Sequence, residues 1–476
     1  MSTDIDVVLD LIGLGWTQLL IFLSCSMAMI YFVNEIMGIS IVAISIACEF
    51  NLSPTELFLL RSAGFMGMIL FTYYVGYKSD QIGRRKAMLY SLVMSLISSA
   101  ISLTMPIFYC FLICRIIAGL SLSGIMATAF TYLMEYTTIQ VRPRMANFFT
   151  YAVVMSFIFV PLLAHVFEPL HTVLWSMGSF HVRVWRLCML LNLIPGIIAL
   201  IAFSVLPESA KYLLSVGNNE AAYEILNRLC LSNRRESLET LNVTRVTQAH
   251  IPPILEKQSN CIYRLWYETL PLFKPPYVKQ YVIIVLIICA YFFVGNGFQL
   301  WFTAIRYQLT NKRSIMCDHL KEDNSSPNDS MCTDKPINYT ESIILGLSAL
   351  CTCAWITILL CFLSRRSIML VNAVISTIGG LSLNFVKNQL LQLFAMVIFI
   401  TMLIMAIPLA NSAIADMVPT YLRGKAMSFS LTLARLSVII ANSIIGHFLY
   451  DYCLITFNIF VLVVIAIVIL IAILRV

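Results

Sequence analysis

Three ionisable residues fall inside long apolar stretches, away from their ends: Glu35, Arg115 and Arg435. A charge at the centre of a bilayer costs about 2.5–3.5 kcal/mol on insertion scales, so each must face the protein interior or a water-filled cavity. In such places ionisable groups hold solutes, relay protons or pair with one another. The plainer alternative is a structural ion pair, or for an arginine a side chain snorkelling to an interface. A carboxylate balanced between burial and a nearby arginine can change protonation as its surroundings change. Glu35 therefore has two candidate roles, as a proton-coupling group or as the counter-charge to a cationic solute. Gln299 and Asn411 are polar residues in otherwise apolar runs, able to hydrogen-bond a solute or to link helices. Trp301, near the end of its run, is either a binding platform or an interfacial anchor.

A second constellation is the short charged stretch Gly76-Tyr77-Lys78-Ser79-Asp80-Gln81-Ile82-Gly83-Arg84-Arg85-Lys86 between two apolar runs. Its glycines permit a tight turn, and Asp80, Arg84 and Arg85 supply an ion-pairing set. A basic turn so close to membrane helices belongs on the cytoplasmic side by the positive-inside rule.

The elements that must position these residues follow from composition. With 60% hydrophobic and 12% charged residues in 476, the chain has too little charge for a soluble globular protein and reads as a polytopic membrane protein. The net charge of +7 lies in short loops beside apolar runs, which is anchoring and topology, not nucleic-acid binding. Met1 to Asp10 carries acids and no basic n-region, so no secretory signal peptide is expected and the first helix should insert by itself. Most of the 14 cysteines are scattered through apolar runs as small hydrophobes and imply no metal site. No phosphate-binding Gly-Lys-Ser/Thr loop, Gly-x-Ser-x-Gly elbow or His-Glu-x-x-His helix is present, so no cofactor, ATP-driven transport or enzyme reading has support.

Apolar runs of about 20 residues mark the spans. The first covers about Trp16 to Cys48, which is overlong and so is expected to tilt, bend or unwind near Glu35. Five more follow to Leu206, the sixth with a kink predicted at Pro195-Gly196. Residues 207–279 are polar and basic, with Ser209, Gly217 and Asn218 marking two short cytoplasmic helices and Ala221, Ile225 and Leu229 forming an apolar stripe. Six further spans occupy 280–476. About twelve spans in two six-helix bundles, 1–206 and 280–476, joined by a linker, is the layout of a transporter built from paired repeats, with both termini cytoplasmic. The polar loop Thr303 to Glu341 then lies outside the cytoplasm, and holds glycosylation acceptors at Asn324, Asn328 and Asn338. Cys317 and Cys332 share that loop and an oxidising compartment, so they are expected to pair.

The glycines, acid and Gly-Arg-Arg of the charged stretch resemble the loop between helices 2 and 3 of the major facilitator superfamily, a gating latch in which Arg usually stands where this chain has Gln81. Several further stretches are similar to the synaptic vesicle glycoprotein 2 family, and more weakly to organic cation and anion transporters: Arg115 with Gly119 and Gly124, Glu135 with Arg142, Trp175-Ser176-Met177-Gly178-Ser179 with His181 and Trp185-Arg186, Leu206-Pro207-Glu208-Ser209, and Leu300-Trp301-Phe302. The resemblance implies an all-α membrane protein of that superfamily, moving a small organic solute by alternating access through a central cavity. Departures are Phe32 in place of a helix-1 Asp, Ile407 and Asn411 in place of helix-10 Trp and Asp, and a second-half turn reduced to Ser364-Arg365-Arg366-Ser367. They leave a second possibility, a vesicle glycoprotein that keeps the fold without transport. Lipid and a small solute are the partners expected of a monomer.

Glycosidase treatment should shift the protein's electrophoretic mobility, and the Asn324/Asn328/Asn338 triple substitution should remove most of that shift. Protection of the 303–341 loop on the cytoplasmic side would overturn the topology.

Overall fold

The computed structural model describes residues 2–138, 141–167, 175–177, 180–247, 270–275, 278–309, 315–317, 339–418, 420–449 and 451–474. Strand β1 (Ser2–Asp4) and helix α1 (Ile5–Ile12) precede the first crossing. They do not hang free. β1 pairs in parallel with β4 (Arg245–Thr247) of the linker, and α1 buries Ile5, Val8, Leu9 and Ile12 beside β4 and a linker helix. Asp6 fixes the dock by pairing with Lys211 at 2.5 Å and Arg142 at 3.5 Å.

The first crossing is α2 (Trp16–Phe50), one 35-residue helix. At 1.5 Å per residue it is roughly 52 Å long, against a hydrocarbon layer of about 30 Å. It is helical throughout, including Glu35, where bending or unwinding was expected. The reason is local: the run contains no proline, and its Gly38 lies against Asn192 and Met189. Asn51 ends it in the left-handed conformation at φ 51°. Ser53 and Glu56 then cap α3 (Pro54–Ile82) reciprocally, with Pro54 in its first turn.

The charged stretch is not a multi-residue turn. α3 runs through Gly76 to Ile82, and α4 (Arg84–Leu103) starts after a single break at Gly83, φ 102°. Nothing in Tyr77–Ile82 breaks a helix, and a side chain on Gly83 would meet both that backbone conformation and the Glu208 carboxylate. α5 (Phe108–Glu135) and α6 (Arg142–Phe167) follow, then a two-stranded hairpin of β2 (Trp175–Met177) and β3 (Phe180–Val182). The sixth crossing is broken into α7 (Val184–Leu191) and α8 (Ile194–Val205), with Pro195 at the restart. α9 (Ala210–Ser215) and α10 (Asn219–Arg234) carry the predicted Ser209 and Asn218 caps and the Gly217 stop at φ 85°. The buried stripe of α10 is Ala222, Leu226, Leu229 and Cys230, one residue on from two of its expected positions.

In the second group α11 (Val278–Tyr291), a π turn (Phe292–Asn296) and α12 (Gly297–Leu309) form one crossing. α13 (Thr340–Leu359), α14 (Arg365–Ser382), α15 (Gln389–Ile404) with α16 (Ile407–Met417), α17 (Thr420–Phe448) and α18 (Cys453–Ile473) complete it. Among the described residues 11 helical segments are long and apolar enough to cross a membrane. One further crossing, α14, ninth in chain order, is diluted by Asn372, Ser376 and Thr377 and is held from within: Ser376 donates to the Phe399 carbonyl at 2.8 Å.

Helices approach most closely where glycine removes a side chain. Gly67 on α3 faces the α5 backbone at Ile116 and Leu120, and a methyl group added at Gly119 would strike the Gly64 backbone. The two bundles meet along α3 with α17 and α6 with α13, where Gly346 lies against the Phe157 backbone.

Two expectations about the 303–341 loop change. Thr303–Leu309 finishes α12, and Thr340 begins α13. Cys317 bonds Cys453 at the start of α18, with Cα atoms 5.4 Å apart, and not Cys332. The fold brings residues 136 apart in sequence into bonding distance, and spatial reach, not nearness along the chain, decides a bridge. Cys48, at the same end of the bundle, is also disulfide-bonded. Cys332, Asn324, Asn328 and Asn338 lie outside the described residues.

Non-reducing peptide mapping should recover Cys317 linked to Cys453, and Cys453→Ala should lower stability by about 2–4 kcal/mol in thermal unfolding of the purified protein. Recovery of Cys317 linked to any other cysteine would refute the assignment.

Candidate functional site

Glu35 and Arg115 meet inside the first bundle. Arg115 Nη1 donates to Glu35 Oε2 at 2.7 Å, and Ser99 Oγ of α4 donates to the same oxygen at 2.5 Å. The side chains are 1% and 2% exposed, so the pair is dry. α2, α4 and α5 each supply one member. Glu35 Oε1 is buried and accepts from no group among the described residues. One carboxylate oxygen thus carries both bonds. The Arg115 guanidinium lies 5.3 Å from the Phe111 ring, and Tyr31 bonds Ser95 beside the pair at 2.8 Å.

Arg435 does not join them. It reaches from α17 into the first bundle, donating to Thr72 Oγ1 of α3 and lying 2.8 Å from Met126 Sδ. Trp301 is not an interfacial anchor: at 1% exposure it is buried between the bundles. Its Nε1 donates to Asn442 Oδ1 of α17, whose Nδ2 donates in turn to Ser62 Oγ at 2.5 Å and to the Phe58 carbonyl at 3.3 Å on α3. The Arg61 guanidinium carbon lies over the Trp301 ring, 3.9 Å from its centroid. This clasp of Arg61, Ser62, Trp301 and Asn442 joins the two bundles. Arg61 gives little signal in the sequence because it stands near the start of its apolar run; the helix begins at Pro54, which puts Arg61 two turns inside.

Gln299, two residues before Trp301, faces the other way, into a narrow gap between α2, α6, α12 and α13. The gap is about 30 Å³, room for roughly one or two waters, and not the open central cavity the sequence suggested. Asn411 does not line it. Two turns along α12 from Gln299, Arg306 grips Glu341 of α13 through two bonds of 2.6 and 2.7 Å.

The charged stretch holds the opposite end of the first bundle. Arg84 bonds Glu135 of α5 at 3.2 Å. Arg85 donates from Nε to the Phe203 carbonyl at 2.9 Å and from Nη2 to the Ser204 carbonyl at 2.5 Å, satisfying the last turn of α8. Glu208 returns the favour at the start of α4, accepting from the Arg85 and Lys86 backbone amides at 2.9 and 3.4 Å. Gly76 sits in α3 facing Ser428 of α17. The Asp80 side chain lies outside the described set. In the second bundle Arg366 does what Arg85 does, donating to the Ile471 and Ala472 carbonyls of α18 at 3.1 and 2.5 Å.

The sequence profile of the Major Facilitator Superfamily matches residues 23–313, more than half of the chain. The chain belongs to that superfamily. Within it, human synaptic vesicle glycoprotein 2B is 22% identical over 322 residues, covering 63% of this chain and 47% of that protein. The putative transporter svop-1 of Caenorhabditis elegans is 29% identical over 231 residues, covering 48% of this chain and 42% of that protein. The chain thus spans about half the length of these relatives. The inward-open xylose transporter XylE of E. coli superposes with a TM-score of 0.69 at 17% identity, over 94% of both chains. XylE bound to 6-bromo-6-deoxy-D-glucose gives 0.66 at 19% identity, over 95% of this chain and 94% of the other. These likenesses show the superfamily fold, in a divergent member that resembles the synaptic vesicle glycoprotein 2 proteins.

Asn442→Ala would leave the Trp301 N–H and the Ser62 hydroxyl without their partner, a loss of about 1–3 kcal/mol. In a double-mutant cycle with Trp301→Phe, the combined loss in thermal unfolding should fall short of the sum. Strict additivity would mean that the clasp is not one unit.

Proposed function

We propose that the protein is a secondary active transporter that carries a small organic solute by alternating access, coupled through Glu35 and Arg115. Superfamily membership supports the transport of a solute across a membrane. The dry Glu35–Arg115 pair, with one carboxylate oxygen unpartnered, is the observation that carries the coupling step. A buried ion pair is expensive to desolvate and adds little stability by itself, so its presence is better explained by use. Protonation at Oε1 would release Arg115 from a full counter-charge and alter how α2, α4 and α5 pack. Arg115 neutralises Glu35 in the resting pair, which favours the coupling role over service as the counter-charge of a cationic solute.

Alternating access would separate one end of the bundle interface at a time. The Trp301–Asn442 clasp would part to open one side, and the contacts of Thr357 on α13 with Asn147 and Tyr151 on α6 the other. In this reading the latch end, the termini and the linker are cytoplasmic, and the disulfide end is lumenal or extracellular.

Purified protein in liposomes tests the proposal. A proton gradient of one pH unit is worth about 1.36 kcal/mol and drives about tenfold accumulation in one-to-one coupling. Glu35→Gln should abolish that accumulation while solute exchange persists. Accumulation equal to the parent's would reject coupling through Glu35. Absence of flux through the parent for cationic, anionic and neutral solutes would favour the alternative, a membrane glycoprotein that keeps the fold without transport.

A further inference from the structure

The gap between α2, α6, α12 and α13 has a chemistry that the fold alone does not dictate. Its polar lining consists of Ser40, Ser156, Gln299, Thr303 and Ser342, all hydroxyls and one amide, with no ionisable side chain among the lining residues. Two of these groups lack a partner among the described residues. The Ser40 hydroxyl is buried at 3% exposure and neither donates nor accepts, and Gln299 Oε1 accepts nothing. Thr303 and Ser342 share one bond of 3.3 Å, leaving further donor and acceptor capacity on both. Buried polar groups are normally satisfied, and those left open around a gap are satisfied by whatever occupies it.

The charges of two ion pairs on the helices that line this gap are already spent on each other. Arg306 and Glu341 form a bidentate pair next to Thr303 and Ser342, and Glu35 is bonded to Arg115 inside the first bundle. An ionic solute in the gap would be stripped of water with no opposite charge to receive it, at a cost of several kcal/mol. An uncharged solute needs only hydrogen bonds, and the lining offers them on several sides. The ring of Phe302 and the α6 residues Phe157, Val160 and Pro161 supply apolar faces between the polar groups.

Resting on the transport reading above, we infer that this gap is the solute site and that its ligand is an uncharged small molecule bearing several hydroxyl groups. In the compact state described here the gap closes to water size, so the bundles must part to admit the solute. Its hydroxyls would then replace water against Gln299 Oε1 and Ser40.

The test is counterflow in liposomes carrying the purified full chain, with four radiolabelled probes: D-glucose and myo-inositol as neutral polyols, tetraethylammonium as a cation and p-aminohippurate as an anion. Flux of at least one polyol and of neither ion is the expected result. Gln299→Leu, which keeps the size and removes the acceptor, should raise the half-saturation concentration for that polyol roughly tenfold, and Ser40→Ala should raise it less. Thermal unfolding of each variant separates a lost site from a lost fold, because both substitutions remove an unsatisfied buried group and should leave melting unchanged or raised. Flux of tetraethylammonium or p-aminohippurate without either polyol would overturn the inference and leave transport standing. So would a polyol flux that well-folded Gln299→Leu and Ser40→Ala leave untouched. Absence of flux for all four probes would remove the transport reading and this inference together.

Discussion

A bilayer supplies no hydrogen-bond partners, and every polar group carried into it must find one inside the protein. This constraint shapes the chain at three scales. Backbone groups are satisfied by helices, of which the first runs 35 residues without interruption. Serine and threonine hydroxyls return to carbonyls of the preceding turn, as Ser98 does to Met94 and Thr128 to Gly124. Charged side chains, which cannot return to their own helix, are forced into contacts between helices: Glu35 with Arg115, Arg186 with Glu49, Arg306 with Glu341. Tertiary structure in the apolar layer is in large part the solution to that last problem, completed by glycines that let backbones close together.

How far this could be read in advance depended on the kind of interaction. Spans, linker helices and the paired-bundle layout were legible because hydropathy and capping residues are local signals. Glu35 and Arg115 were legible as residues, since charge in an apolar run needs a partner, but their direct bond was not fixed by sequence: Arg435 was an equal candidate until the geometry placed it on Thr72. The Cys317–Cys453 bridge was illegible for the same reason, as the choice between Cys332 and Cys453 belongs to three-dimensional proximity. Asn442 gave no signal at all, since one asparagine in an apolar run does not announce that it links Trp301 to Ser62. The charged stretch was legible as a motif and misjudged as a shape, because only Gly83 among its residues departs from helical backbone.

The two ends of the molecule are secured by different chemistry. At one end, the disulfide and the bidentate Arg306–Glu341 pair stiffen the second bundle, and Glu49 gathers Arg183, Arg186 and the Trp185 N–H in the first. At the other, helix termini are capped by side chains from neighbouring helices, bonds that are individually modest and partly wet. Contacts between the bundles are of a third kind: hydrogen bonds from Asn442, Thr357 and Arg435 and the stacking of Arg61 on Trp301, with no bidentate ion pair or disulfide described among them. Such an interface can part at one end without breaking the bundles themselves, as rigid-body motion requires.

Arg85 and Arg366 occupy the second position of α4 and of α14, and each holds the final carbonyls of the last helix in its bundle. The connections that carry them differ in composition. In the first bundle Glu208, Arg84 and Glu135 bind the same end into a mesh, whereas in the second the short Ser364-Arg365-Arg366-Ser367 connection keeps the arginine and carries no acid or glycine. A duplicated architecture thus keeps in both halves one arginine that ties the third crossing of its bundle to the sixth at the same end. A terminal helix displaced there must carry its arginine-bearing neighbour along, so each repeat moves at that end as one piece and not as separate rods.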